Sequence, residues 1–452
     1  MKKLNLKTTP IPRLFLSYFI PSLVAMLALS TYSTIDGIFV GKKLGENALA
    51  AIGIAWPIFP VLIAFELLFS VGGAAMSSYF LGKGKAFRAR IIFSSVFYFA
   101  LFTSIIGGFT LYYFSDFVAL YLGANANLLP LVKEYTEIIY LGAFVIVLHP
   151  TLDIFAINDK QPILAMVAMI VGSCMNILLN YLFLFVFDFG IGGAALATIL
   201  GHSIGACILL QHFLRKKGDL FLIRAFDVYA LLNATKNGIP QSSSEISMSI
   251  MMLIFNHTIM NIAGDRGISI YSVVMYMSII PFTILLSVAQ GVQPISSFNY
   301  GANLLRRVKE VFYFSLKFSL LVGIILYIAF YSFGSFVIPW FLQDNIASRD
   351  SLLSLETKKA MNLYFMNFIL LGINLVSATF FQSIQKTFIS FIITLSYTLL
   401  FTLCFVLVLP KFYGFEGIMS AHPLGVLCAS IVVFGIILKE QKSGILKKLI
   451  RI

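Results

Sequence analysis

The amino-acid sequence predicts an all-α integral membrane protein of 12 transmembrane helices, built as two six-helix lobes related by a parallel pseudo-two-fold repeat. The first reason is composition. Of 452 residues, 59% are hydrophobic and 11% are charged, against roughly 25% charged residues in a soluble domain. At a mean hydropathy of +0.94, a soluble fold has too few polar groups to cover its surface. The second reason is run length. The apolar runs reach about 20 residues or more, which suits helices, whereas barrel strands would alternate over ~10 residues. The third reason is that the two halves of the chain repeat each other.

The start, MKKLNLKTTPIPR, is basic like a signal peptide. A long apolar run follows it without a small-residue cleavage site, so it reads as an uncleaved first helix. Twelve spans are expected over 13–40, 48–80, 91–115, 129–155, 161–187, 191–213, 237–263, 267–298, 308–333, 358–382, 386–409 and 415–438. The second is long and carries Pro57 and Pro60, so a bend or tilt is expected there. The polar stretch near the middle divides the chain into an N-lobe (1–214), a cytoplasmic linker (215–236) and a C-lobe (237–452) with a basic cytoplasmic C-terminus. With the N-terminus inside, the inner segments hold 23 Lys and Arg and the outer loops 8. Lys317 lies within a span, close enough to the inner end to snorkel. Cytoplasmic loops attract basic residues, so both termini are expected in the cytoplasm.

The repeat is visible residue by residue. At an offset of 219, Ile20-Pro21 matches Ile239-Pro240, Gly45 matches Gly264, Gly72 matches Gly291, Ser77-Ser78 matches Ser296-Ser297, Gly82 matches Gly301 and Arg88 matches Arg307. At an offset of 224, Gln161 matches Gln385, Gly190 matches Gly414, Gly193 matches Gly417, Ala197 matches Ala421 and Gly201 matches Gly425. Each copy holds six spans, an even number, so both run the same way through the membrane. Transporters that work two lobes around a central site are built like this.

Several function classes fall away. The net charge of +13 is explained by basic cytoplasmic loops rather than by nucleic acid. Cys174, Cys207, Cys404 and Cys428 lie in apolar runs without CxxC spacing and read as small core residues. Gly201-His202-Ser203-Ile204-Gly205 fits GxSxG, but it lies in an apolar helix with no strand before it, so close helix packing is the expected role. His149, His202, His212, His257 and His422 show no HExxH and no close pairing in sequence, so no metal centre is expected. No catalytic constellation remains, and the chain is not expected to be an enzyme or to carry a cofactor.

The intramembrane acids are the functional candidates, because a carboxylate in lipid needs an ion, a proton or a partner. Four qualify: Asp36, Glu66, Asp153 and Glu245. Asp36 sits in TIDGIFVGKK, where the segment stays apolar past it. Glu66 is in mid-span and needs a partner or a cavity. Asp153 is near the inner end, and Glu245 follows Pro240 in a polar opening turn. Asn176 and Asn180 are four apart and share a helix face, with Thr198 in the next span. One Asp, two Asn and a Thr offer oxygen ligands with a single negative charge, which suits a monovalent cation or proton. His257, beside Asn256, is expected in the core or lining a cavity.

DGIFVGKKLGENALAAIGIAWPI, GGAAMSSYFLGKG, NILLNYLFLFVFDFGIGGAALATILG and QGVQPISSFNYGA resemble the multidrug and toxic compound extrusion (MATE) family over nearly the whole chain. The resemblance implies export of organic, cationic or amphipathic compounds in exchange for H⁺ or Na⁺. It also implies an N-lobe site in which an Asp of helix 1 works with an Asn, an Asp and a Thr of helices 5 and 6. Asp36, Asn176 and Thr198 fall on those positions, whereas Asn180 stands where many members carry Asp. Asp153 or Glu66 is the candidate replacement for the missing acid. A family acid on helix 7 corresponds only loosely to Glu245, since three residues rotate a helical position by about 60°. Span 10 has no acid, so no C-lobe Na⁺ site is expected. Gln290 and Gln293, in the last motif, join Glu245, Asp153, Glu66 and His257 as secondary coupling or substrate candidates. The expectation is a monomeric drug/cation antiporter of the bacterial inner membrane working by alternating access. The alternative is a lipid-linked precursor or polysaccharide flippase, which would want intramembrane Arg for phosphate; the spans contain essentially none.

Overall fold

The computed structural model describes residues 5–340 and 352–443. They form helices throughout, with no strand among them. In chain order these are α1 (Ile11–Leu44), α2 (Glu46–Ala55), α3 (Ile58–Gly82), α4 (Ala86–Tyr113), α5 (Ser115–Tyr121), α6 (Leu129–Leu141), α7 (Ala143–Asn158), α8 (Pro162–Tyr181), α9 (Gly190–Leu214) and α10 (Val228–Gly301). Then come α11 (Leu305–Val337), α12 (Leu352–Phe365), α13 (Asn367–Ser383), α14 (Thr387–Leu395), α15 (Phe401–Val408) and α16 (Pro410–Ser443). The basic C-terminal segment lies outside the described residues.

Twelve spans follow from where these helices break. α10 is 74 residues long with Gly264 at φ 58, ψ −155, and at ~1.5 Å per residue it is long enough for two crossings. The helix of the second span is interrupted at Trp56–Pro57, between α2 and α3, because Pro cannot donate to the preceding turn. The fourth span is α6 plus α7, bent by 50° around Gly142, a break that no Pro or polar cluster announces. α1 stays continuous through Pro21. π-helical turns follow α8 at Leu182–Val186 and α14 at Ser396–Leu400, so spans 5 and 11 each carry one.

The repeat extends to the backbone. Gly45 (φ 80) and Gly264 (φ 58), paired at the first repeat offset, begin equivalent helices. Gly84 (φ 75) and Asn303 (φ 58) turn the chain at the same spacing. Gly190 (φ 64) and Gly414 (φ 54) repeat at the second offset. Left-handed backbone favours Gly and, less often, Asn, which explains why these positions stand out in sequence. One pairing needs correction. Gln385 (φ 64) occupies the place of Lys160 (φ 66), one residue before Gln161, so the matching Gln side chains are not backbone equivalents.

The chain divides into two compact units. The first is Ile20–Ser242, and the second is Asn5–Phe19 with the chain from Ser243 onward. In the first, α3 lies directly on the start of α10. A Cβ on Gly72 would stand 2.0 Å from the Ala234 carbonyl oxygen, and one on Gly238 would stand 1.9 Å from that of Leu68. In the second, Gly291 faces Phe15 and Phe19, and a Cβ on it would stand 3.4 Å from the Phe19 nitrogen. Phe15 and Phe19 precede Ala234 and Gly238 by the same offset that separates Gly72 from Gly291, so both units repeat this contact too. The four cysteines are not core residues: Cys174, Cys207 and Cys404 are exposed and Cys428 half-exposed. A span apolar on every side hides which of its faces packs in the core.

The segment after α9 is fastened to the first unit. Asp159 Oδ1 accepts from the Asp219 and Leu220 amides at 2.8 and 2.9 Å, and Oδ2 pairs with His212 Nε2 at 2.8 Å. Lys160 bridges to Asp219 at 2.5 Å, Arg90 lies over the Phe221 ring at 3.9 Å, and the Ser94 and Ser95 hydroxyls accept from the Ile223 and Asp227 amides. Bonds to a charged acceptor contribute about 1.5–3 kcal/mol each. Asp159→Ala is therefore expected to speed tryptic cleavage at the exposed Arg215, Lys216 and Lys217 by about 10-fold or more, because cleavage of a transiently opened segment follows its opening free energy. An unchanged cleavage rate would show that the clasp adds nothing.

Candidate functional site

Four side chains from three helices close a ring inside the first unit. Asn176 and Asn180 stand one turn apart on α8, and Asn180 Nδ2 reaches both Asp36 Oδ1 and, at 3.4 Å, Asn176 Oδ1. Asn176 Nδ2 donates to Thr198 Oγ1 at 3.4 Å, and Thr198 Oγ1 donates to Asp36 Oδ2 at 3.4 Å. The ring depends on close approach of α8 and α9. A Cβ on Gly201 would stand 2.9 Å from both the Asn176 Cβ and the Gly172 oxygen, so this glycine lets Thr198 come within reach. Gly201 and Gly205, the ends of the GxSxG string, are packing glycines, as helix–helix contacts in membranes favour small residues. Asn176, Asn180 and Thr198 are buried and Asp36 is half-buried. Asn180 Oδ1 is buried without a hydrogen-bond partner.

The secondary candidates are divided between the two units. Glu66, 3% exposed, accepts from Ser70 Oγ and lies 3.5 Å from Thr151 Oγ1; it has the partner its mid-span position demanded. Asp153 is half-buried, and its Oδ1 is shielded and unpaired. Glu245, Gln290, Gln293 and His257 belong to the second unit. Glu245 and Gln290 are half-buried there and Gln293 is buried. His257 is not a core residue; it is exposed, and its Nε2 lies 3.1 Å from Asn261 Nδ2 one turn on. Phe255, the repeat counterpart of Asp36, is stacked on Tyr271 at 5.7 Å. An aromatic pair thus stands in the second unit where a carboxylate stands in the first.

Three residues of this region had no part in the site expected from sequence. Tyr32 OH lies 3.3 Å from His202 Nε2, and His202 Nδ1 lies 3.0 Å from His149 Nδ1. With Met169, Gly172, Ser173, Asn176, Thr198 and Gly201 they line a cavity of about 10 Å³, room for the centre of one water. His149 and His202 are far apart in the chain, so no spacing rule pairs them. The one available hint was the four-residue step from Tyr32 to Asp36, which sets both on one face of α1. The described residues hold no cluster of three or more His, Cys, Asp or Glu suited to a metal.

Apolar helices in two repeated units, with a buried polar ring in the first, are the architecture of membrane transporters. The MatE family model matches residues 21–182 and again 240–407, so its second copy begins at the repeat offset. This chain belongs to the MATE family of multidrug efflux transporters, whose members are ion-coupled and move small molecules. It is 24% identical over 340 residues to the multidrug export protein MepA of Staphylococcus aureus, covering 74% of this chain and 75% of that one. Over 286 residues it is 25% identical to MepA of Staphylococcus saprophyticus, covering 63% of each. Among solved structures, it superposes on an outward-facing multidrug resistance MATE family transporter of the MOP superfamily with a TM-score of 0.91, at 21% identity over 99% of both chains. A MOP superfamily transporter from Pyrococcus furiosus, described as having a binding pocket of reversed polarity, gives 0.90 at 21% identity over 98% of this chain and 99% of that one. Those two superpositions establish the shared fold.

Proposed function

We propose that this protein exports small organic, cationic or amphipathic compounds across the bacterial inner membrane by alternating access, in antiport against H⁺ or Na⁺. It works as a monomer with both termini in the cytoplasm. The observation that carries the reading is the ring of Asp36, Asn180, Asn176 and Thr198. It offers one formal charge with amide and hydroxyl oxygens around it, which matches a monovalent cation and not a divalent one. Asn180 also explains how one carboxylate can serve. While Asp36 is ionised, the amide donates to it. Once Asp36 carries a proton, its O–H needs an acceptor, and the amide turned over presents Oδ1, which is otherwise unpartnered. Loading therefore changes how α1 is tied to α8 and α9, and α1 is the element that communicates it.

Reconstituted protein is expected to move ethidium, a fluorescent organic cation, against its own gradient when a pH or Na⁺ gradient is imposed across proteoliposomes. Flux that ignores both gradients would remove the antiport reading, and a comparison of the two gradients identifies the ion.

A further inference from the structure

Beside the ring, two histidines meet head to head. His149 of α7 and His202 of α9 approach through their Nδ1 atoms at 3.0 Å, with the rings at 78°. His202 continues to Tyr32 OH through Nε2, at 3.3 Å. At the far end, His149 Nε2 is buried without a hydrogen-bond partner. His149 sits where Gly205 leaves room: a Cβ there would stand 2.3 Å from His149 Nε2. One turn further along α7 from His149, Asp153 Oδ1 is likewise shielded and unpaired. Two shielded, unpaired polar atoms at the α7 end of the row cost stability that packing alone would not require.

We propose that His149 and His202 form a proton-carrying pair, linking the cavity beside the Asp36 ring to the Asp153 end of α7. This deepens the antiport reading and rests on it, since it assigns H⁺ as the coupling ion. The contact itself fixes the chemistry. Two Nδ1 atoms at hydrogen-bond distance share one proton, so one ring donates and the other accepts. In the first arrangement His149 Nδ1–H donates to His202, and His202 Nε2–H donates to Tyr32. A proton arriving at His149 Nε2 makes an imidazolium. Its Nδ1–H bond breaks as an Nδ1–H bond forms on His202, and His202 then releases its Nε2 proton towards Tyr32 and the cavity. In the second arrangement His202 Nδ1–H donates to His149, and Tyr32 O–H donates to His202 Nε2. One proton enters, one leaves and no electrons move. The pair can hold one excess proton but not two, because the second would remove the acceptor.

The titratable groups facing this row come from several helices. Tyr32 and Asp36 stand on α1, the buried Tyr135 stands on α6, and Asp153 is on α7 itself. Glu66 of α3 reaches α7 at Thr151. α8 contributes the neutral Ser173 and Asn176 to the cavity, and α4 packs on α7 through Phe93 against Phe155 at 4.8 Å. No Lys or Arg lines the cavity, so protons arriving there are not repelled by a fixed cation.

His149→Gln and His202→Gln keep a hydrogen-bonding side chain and cannot carry the proton. Each is expected to lower ΔpH-driven ethidium flux into proteoliposomes by about 100-fold, the scale of a lost positioned proton carrier, while ethidium binding at fixed pH stays within about twofold of wild type. Tyr32→Phe, which removes one hydroxyl, should flatten the pH profile of the flux without loss of folded protein. If the wild type is driven by ΔpH and both glutamine variants keep its rate and pH profile, the histidine pair is not the carrier, although the antiport reading stands. If a Na⁺ gradient alone drives the wild type, the proton assignment falls while efflux remains. If neither gradient drives it, both readings fall.

Discussion

Asp36→Asn is expected to abolish ion-coupled export while leaving the protein expressed, folded and monodisperse. Asparagine has nearly the shape of aspartate: its Oδ1 can accept from Asn180 Nδ2 as Asp36 Oδ1 does now, and its Nδ2, in the place of Oδ2, can donate to Thr198 Oγ1, whose hydroxyl turns to accept. The ring therefore keeps its hydrogen bonds and loses only its charge and its capacity to take up a proton. No other carboxylate belongs to the ring, and the family's second acid position holds Asn180. Conformational coupling of about 1–3 kcal/mol corresponds to 5–150-fold in population, so the loss in gradient-driven flux should lie at or beyond the upper end of that range. Ethidium uptake into proteoliposomes under an imposed gradient measures it, with size-exclusion chromatography as the control for folding. A variant exporting at near the wild-type rate would remove Asp36 from the coupling site. Glu66 is the informative comparison. It is held by Ser70 within its own helix, so its amide variant should disturb packing around Thr151 before it disturbs coupling.

What was legible in the sequence depended on whether the signal was local. Spans read well because a long unbroken apolar run has few physical interpretations, and the left-handed glycines Gly45, Gly264, Gly190 and Gly414 marked the repeat because few other residues fit there. The members of the ring were readable singly: an acid within an apolar run, and two asparagines on one face of a helix. Their closure into a ring was not, because it depends on how α1, α8 and α9 are set side by side. The 50° bend at Gly142 was hidden for the opposite reason, since a glycine in a span reads equally well as a packing residue. His149 and His202 had no signal at all, because histidines so distant in sequence become neighbours only through tertiary packing. The exposed cysteines illustrate the same limit, because hydropathy does not separate an exposed side of a helix from a core-facing side when both are apolar.

Gly72→Ala should be among the most damaging single-methyl changes in the first unit. Its Cβ would stand 2.0 Å from the Ala234 carbonyl oxygen and 2.6 Å from the Gly238 nitrogen. Both are backbone atoms of a helix, so neither can swing aside as a flexible side chain would. Relief requires α3 and the start of α10 to separate along their whole contact, which also pulls Gly238 away from Leu68. Inserting one carbon into a well-packed contact typically costs about 1–3 kcal/mol. Two interlocked glycines facing rigid backbone put this substitution at or above that range, enough to lower the melting temperature by several degrees or prevent recovery of folded protein. The repeat supplies its own control. Gly291 is the repeat partner of Gly72, but a Cβ there meets nothing closer than the Phe19 nitrogen at 3.4 Å, an ordinary van der Waals distance. Gly291→Ala should therefore be tolerated, with thermal stability in detergent close to wild type. Equal damage from the two substitutions would show that sequence equivalence, rather than backbone clearance, sets the cost. The expected inequality ties it to the approach of α3 to α10 in the first unit, where Ala234 and Gly238 stand in the places that Phe15 and Phe19 take in the second.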